Sequence, residues 1–208
     1  MRSEFILNIL TDNRRKLNFP LSKNTPSLPL LFAFSDEARD PDPLVLIKHV
    51  PEGCGYIFRH YLLPDRERLA LQVVKACRKS NLLCFIAGDL QLCIHTNADG
   101  IHLPEHLLRR PTYGLSHFKQ RGGLVTAATH SLSAGLIAQK YGVDGIFISP
   151  VFATKSHVGS THLGLMRFAQ ITQHLRIPVF ALGGTDLSQT TRLKKSGAYG
   201  LGGISLFK

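Results

Sequence analysis

The sequence predicts an α/β chain folded as a small (β/α)8 TIM barrel, and three observations carry that reading. Eight short apolar runs are spaced along residues 30–204, at Leu30 to Ser35, Tyr56 to Arg59, Leu82 to Ile86, Gly100 to Leu103, Gly123 to Ala128, Gly145 to Ser149, Ile177 to Leu182 and Gly200 to Ile204. Segments of helical period, with start and stop signals of their own, lie between the runs. The seventh and eighth runs are each followed or interrupted by paired glycines, where barrels of this kind often bind phosphate. Parallel strands need crossovers, and eight βα steps close on themselves. An open doubly wound sheet is the alternative arrangement.

Taken in order, the elements justify themselves locally. Residues 1–28 precede the first strand, and Phe5, Ile6, Leu7, Ile9 and Leu10 are apolar enough to need burial. They are expected to form an N-terminal extension packed on the barrel, with 29–208 as the barrel proper. Asp65 caps a helix that carries Leu69, Val73 and Cys77 on one face, with Arg78 and Lys79 in its last turn, where cations are favoured. Ser131 begins another, with Leu136, Ile137 and Tyr141 turned inward and Gly142 as a left-handed C-terminal residue. Thr185 or Asp186 begins a further helix that Gly197 ends. The sequence stops at Lys208, four residues past the eighth run, so a regular eighth helix is not expected.

Charge narrows the partner class. Lys and Arg number 25 against 14 Asp and Glu, a formal charge of +11, which favours anionic ligands. The basic residues fall in short scattered pairs and not in one stripe with interleaved aromatics, so phosphorylated small molecules are expected and nucleic acid is not. No apolar run approaches the ~20 residues needed to span a bilayer, and the first ten residues do not read as a secretory signal, so no membrane partner and a cytoplasmic location are expected. Cys54, Cys77, Cys84 and Cys93 form no CxxC pair and read as free buried thiols. Pairing into a homodimer is left open by the sequence.

Candidate chemistry collects at the C-terminal ends of the strands. Arg59 ends strand two, where a cation needs an anionic partner, either a ligand or an internal carboxylate. Thr154, Lys155, Ser156 and His157 follow strand six and could clamp a diphosphate. His102 and Glu105 after strand four, and His130 after strand five, are candidate acids or bases. Gly183, Gly184, Gly203 and Ser205 sit in the two loops read as a phosphate cradle.

Asp99-Gly100-Ile101-His102-Leu103, Asp144-Gly145-Ile146, Ser149-Pro150-Val151-Phe152-Ala153-Thr154, Ile177-Pro178-Val179-Phe180-Ala181-Leu182-Gly183-Gly184 and Gly197-Ala198-Tyr199-Gly200 together resemble thiamine phosphate synthase and its TenI-type thiazole tautomerase relatives. The resemblance implies a barrel that joins a pyrimidine methyl diphosphate to a thiazole phosphate, with Mg²⁺ and release of pyrophosphate. It implies thiazole-phosphate binding at Gly183, Gly184, Gly203 and Ser205, with Thr154 and Ser156 matching the family's strand-six hydroxyls. It also implies that Arg59 and the loop from Thr154 to His157 hold the diphosphate and stabilise its charge as it leaves, with Arg59, Lys155 and His157 as catalytic candidates. The family's Gln-x-Arg-x-Lys becomes Ile57-Phe58-Arg59-His60-Tyr61, which keeps only the arginine. Both magnesium carboxylates are absent from their places, which fall on Ala87-Gly88 and Leu107. Asp89 and Glu105 stand beside the vacated positions as candidate shifted Mg²⁺ ligands. The tautomerase histidine falls on Pro150, so His102, His130 or His157 would have to move the proton in that reaction. A barrel that binds a phosphorylated metabolite without turnover is a third reading.

Overall fold

The computed structural model describes residues 28–39, 41–110, 112–153 and 161–207. The expected extension over residues 1–27 and the loop residues Thr154, Lys155, Ser156 and His157 lie outside them.

Eight parallel strands close a barrel in chain order: β1 (Leu31–Phe34), β2 (Gly55–Phe58), β3 (Leu83–Ala87), β4 (Gly100–Leu103), β5 (Leu124–Thr129), β6 (Gly145–Ile148), β7 (Val179–Leu182) and β8 (Gly200–Gly203). Strand β1 closes the ring by pairing with both β2 and β8, setting Phe32 opposite Gly55 and Gly202. Those pairings reflect volume. An added Cβ at Gly55 would lie 2.2 Å from the Phe32 ring, at Gly100 2.3 Å from Phe85, and at Gly202 2.7 Å from Phe34. Glycines on neighbouring strands therefore make room for a stack of rings. Phe32 stands edge-on to Phe85, Phe147 and Phe180 at centroid separations of 5.5, 5.0 and 5.2 Å. Phe34 meets Phe147 at 5.0 Å one layer nearer the mouth. The barrel interior is a packed core and not a pore.

Helices α1 (Pro43–Ile47), α2 (Arg66–Lys79), α3 (Leu90–His95), α4 (Leu115–Gln120), α5 (Leu132–Tyr141), α6 (Gly164–His174) and α7 (Thr190–Lys194) lie between the strands, with a 3-10 turn at Glu105–Arg109 before α4. Helix α2 buries Ala70, Val73, Val74 and Cys77, with Leu69 at the margin, as its period predicts. Its expected cap differs in detail. Asp65 stands at the N-cap but accepts no backbone N–H of the helix; its carboxylate accepts from the Arg68 side chain instead, at 3.1 Å.

Two expectations are corrected. Ser131 caps α5 by accepting from the Ala134 N–H at 3.2 Å, and Gly142 ends it at φ +82°. The buried face, however, is Ala134, Gly135 and Ala138, while Leu136 and Ile137 are 44% and 39% exposed. An added Cβ at Gly135 would come within 3.1 Å of Leu175 and 3.3 Å of Ile146, so small residues let α5 lie close to its neighbours. The helical stretch expected from Thr185 or Asp186 does begin at Asp186, whose Oδ1 accepts from the Ser188 N–H at 2.7 Å, but it is a 3-10 turn at Leu187–Gln189 followed by the single turn of α7 and not one regular helix. Thr185 is held elsewhere, donating to the Gly202 carbonyl at 2.7 Å.

All four cysteines are buried and free, and burial pushes the Cys54 and Cys93 thiols up to about 12, so neither is a thiolate near neutral pH. Leu28, at the start of the described chain, is buried against the position of Gly145 on the floor of the barrel. Among the described residues no helix is long and apolar enough to cross a membrane. Beyond β8 no helix forms among the described residues.

Candidate active site at the barrel mouth

Two arginines are anchored at the C-terminal ends of β1–β3. Arg59 follows β2 and rests over the Phe34 ring, its guanidinium 5.3 Å from the centroid. Its backbone N–H donates to Ser35 Oγ and its Nε to the Ser35 carbonyl, both at 2.8 Å, while Nη2 reaches Asp36 Oδ2 at 3.3 Å. The internal carboxylate partner is therefore present. Burial draws the guanidinium below its ordinary value, and Tyr61 and Asp36 draw it back.

Arg66 is the residue that the sequence reading missed. It opens α2, yet its side chain is only 15% exposed. Nε donates to the His60 carbonyl at 2.7 Å, Nη2 to the Ala87 carbonyl at 2.6 Å, and Nη1 faces Asp89 Oδ2 at 3.5 Å. The guanidinium also lies over the Phe58 and Tyr61 rings, at 5.9 and 5.4 Å. One signal could have found it. A cation in the first turn opposes the helix dipole, which favours acidic residues there, so an arginine at that position needs another reason to be kept.

Tyr61 stands within the electrostatic reach of both arginines. Burial raises its phenol, and Arg59 and Arg66 oppose the rise.

The candidate metal carboxylates are engaged elsewhere. Asp89 caps α3, its Oδ1 accepting from the Leu92 N–H at 2.9 Å, and its Oδ2 faces Arg66. Glu105 Oε2 accepts from the His130 N–H at 2.7 Å. Among the described residues no group of three or more His, Cys, Asp or Glu side chains could share a metal ion. Mg²⁺ asks for near-octahedral oxygen ligands at about 2.1 Å. An ion on Asp89 Oδ2 would have to share that oxygen with the Arg66 guanidinium, whose Nη1 stands 3.5 Å from it. The described residues do not fit a carboxylate-held magnesium ion at this place.

The two candidate histidines among the described residues separate clearly. His102 is buried between Phe34 and Phe147 with Nδ1 3.0 Å from Thr126 Oγ1, and burial, reinforced by Arg59, pushes it down to about 3. It is a neutral core residue. His157 lies outside the described residues. His130 is exposed and lines a cavity of about 630 Å³ with Glu105, Arg109 and Arg110. Its Nδ1 lies 2.7 Å from the Ser149 carbonyl, an obligate acceptor, so Nδ1 carries the hydrogen and Nε2 is left basic.

On the opposite side of the mouth, Gly183 and Gly184 take φ of +86° and +65°. A Cβ at Gly183 would lie 2.8 Å from Pro150 Cα, and one at Gly184 2.2 Å from the Ala153 carbonyl oxygen. The chain after β6 rides directly on this turn, with the Val151 and Phe152 N–H groups donating to Leu182 and Gly183 at 3.0 Å. The glycines thus serve the close approach of two loops, whatever else they bind. Gly203 ends β8 beside Thr185, and Ser205 is exposed just beyond it.

Comparison with known sequences points to one family. The family model described as thiamine monophosphate synthase matches residues 56–207. An Aquifex aeolicus protein named "Putative thiamine-phosphate synthase 2" is 33% identical over 86% of this chain and 98% of its own length. A thiamine-phosphate synthase of Chlorobium luteolum is 29% identical over 88% and 86% of the two chains. Among solved structures, a thiamine phosphate pyrophosphorylase of Pyrococcus furiosus has the same fold, with a TM-score of 0.68 at 20% identity over 83% of each chain.

Proposed function

Because the chain belongs to the thiamine monophosphate synthase family, a transferase family of thiamine biosynthesis, we propose that it joins a pyrimidine methyl diphosphate to thiazole phosphate in the cytoplasm and releases pyrophosphate. The observation that carries this reading within the fold is Arg59. Anchored through Nε, it keeps guanidinium N–H groups at the mouth where a diphosphate would lie. As the bond from the methylene carbon to the diphosphate oxygen breaks and the bond to the thiazole forms, negative charge grows on the leaving group. A preorganised guanidinium stabilises that growing charge more than the ground state, which is the condition for catalysis. The thiazole phosphate is assigned to the β7 and β8 loops, at Gly183, Gly184, Gly203 and Ser205, with Thr154 and Ser156 from the loop after β6. Lys155 and His157 of that loop are assigned to the diphosphate.

A second reading, a thiazole phosphate tautomerase, is favoured by His130. Its fixed tautomer presents a base at the mouth, beside the strand-six position where such relatives carry their histidine and this chain has Pro150.

Mass spectrometry of a reaction holding the full-length protein, both substrates and Mg²⁺ tests the first reading. Thiamine phosphate is the expected product. Its absence overturns the synthase assignment, and isomerisation of the thiazole in the same mixture would establish the second.

A further inference from the structure

We infer that Arg66 stands as a fixed cation in place of the family's divalent metal, so that this mouth takes a diphosphate group without any metal ion. The inference deepens the synthase reading, because it rests on the mouth accepting a diphosphate.

Three observations converge. The vacated magnesium position falls on Ala87-Gly88, and the Ala87 carbonyl is the group to which Arg66 Nη2 donates, at 2.6 Å. The carboxylate beside that position, Asp89, has one oxygen committed to the α3 N–H of Leu92 and the other turned to Arg66. Arg66 and Arg59 are also built alike. Each is fixed through Nε to a strand-end carbonyl, His60 or Ser35, and each meets a single aspartate through one terminal nitrogen, at 3.5 and 3.3 Å.

A guanidinium has five N–H groups. Arg66 commits two to carbonyls and turns one toward Asp89, which leaves donors for an incoming oxyanion. Arg59 commits one to a carbonyl and one to Asp36. Two planar cations flanking Tyr61 offer the forked geometry that phosphate oxygens match, and they are held in place before the ligand arrives. A diphosphate arriving there competes with Asp36 and Asp89 for two guanidinium groups already fixed by their backbone carbonyls, and no divalent ion is needed to supply the positive charge.

Isothermal titration of the full-length protein with inorganic pyrophosphate, in EDTA and then in Mg²⁺, tests the inference. Binding in EDTA, not tightened by Mg²⁺, is expected. Asp89→Asn separates the two explanations by sign. Asparagine keeps the oxygen that caps α3 but releases Arg66 from its counter-charge, so affinity for pyrophosphate should rise roughly two- to fivefold at low salt. If Asp89 is a metal ligand, the same variant weakens binding, and the inference fails. Arg66→Gln should weaken binding about tenfold or more, with Arg66→Lys between it and the parent. Binding seen only with Mg²⁺, or unchanged in a folded Arg66→Gln protein, overturns the inference. Should Arg66→Gln not fold, Asp89→Asn decides alone. Metal-free pyrophosphate binding without thiamine phosphate synthesis would leave this inference standing and remove the synthase reading. Synthesis with strictly Mg²⁺-dependent binding would do the reverse.

Discussion

His102 shows how one side chain makes the fold sensitive to acid. It enters the core from β4, bonds Thr126 and is pushed down to about 3, whereas the unfolded residue titrates near 6.5. Below pH 6.5 the unfolded chain binds a proton that the folded chain refuses, so stability is complete above that value and falls as pH drops toward 3. The loss between pH 6.5 and 4.5 comes to about 2 kcal/mol from this residue alone. Urea unfolding at the two pH values should show that extra loss in the parent and not in His102→Gln, since the other titrating groups cancel in the comparison. Equal losses in the two proteins would place the acid sensitivity elsewhere. Arg59 was legible in the sequence because a charge at a strand end stands out. Arg66 was not, because the first residue of a helix is ordinarily solvated and only the packing of α2 against β2 and β3 turns it inward.

Helix α5 separates what period reveals from what packing decides. Its limits were readable, because Ser131 and Gly142 act locally through a side-chain cap and a left-handed residue. Its buried face was not, because the reading favoured the largest apolar side chains, and the neighbours leave room only for Ala134, Gly135 and Ala138. Three substitutions test the assignment by thermal or urea unfolding. Ser131→Ala removes the cap and should cost about 1 kcal/mol. Leu136→Ala, at a largely exposed position, should change stability by no more than about 0.5 kcal/mol. Gly135→Val drives a side chain into Leu175 and Ile146 and should cost roughly 1–3 kcal/mol. A larger loss at Leu136 than at Gly135 would restore the period-based face. Helix α7 teaches the same lesson at its start, where Thr185 is taken by the Gly202 carbonyl before a helix can use it as a cap.

At the scale of the whole barrel, the strands were legible because eight apolar runs at βα spacing admit few closures, and the glycine pairs marked the mouth. The division of labour between floor and mouth is a property of the closed ring and follows from contacts no local pattern contains. Phe32 and Phe34 are two residues apart on one strand and both are buried. Phe32 packs edge-on against the rings of Phe85, Phe147 and Phe180 and belongs to the lower layer. Phe34 packs on Phe147 and His102 and also carries the Arg59 guanidinium on its face. Replacing either by leucine removes ring contacts and should cost on the order of 1–2 kcal/mol of stability. The two should part in function, because barrels of this kind keep their chemistry at the C-terminal face and use the opposite end for stability. Phe32→Leu should bind pyrophosphate as the parent does at a temperature where both are folded. Phe34→Leu lets the Arg59 guanidinium sink or tilt and should weaken that binding by about fivefold, the value of one cation–π contact of ~1 kcal/mol. Calorimetric titration beside a melting curve gives both quantities for each variant. Equal binding losses in the two proteins would mean that the layers are not separable and that the mouth depends on the core as a whole.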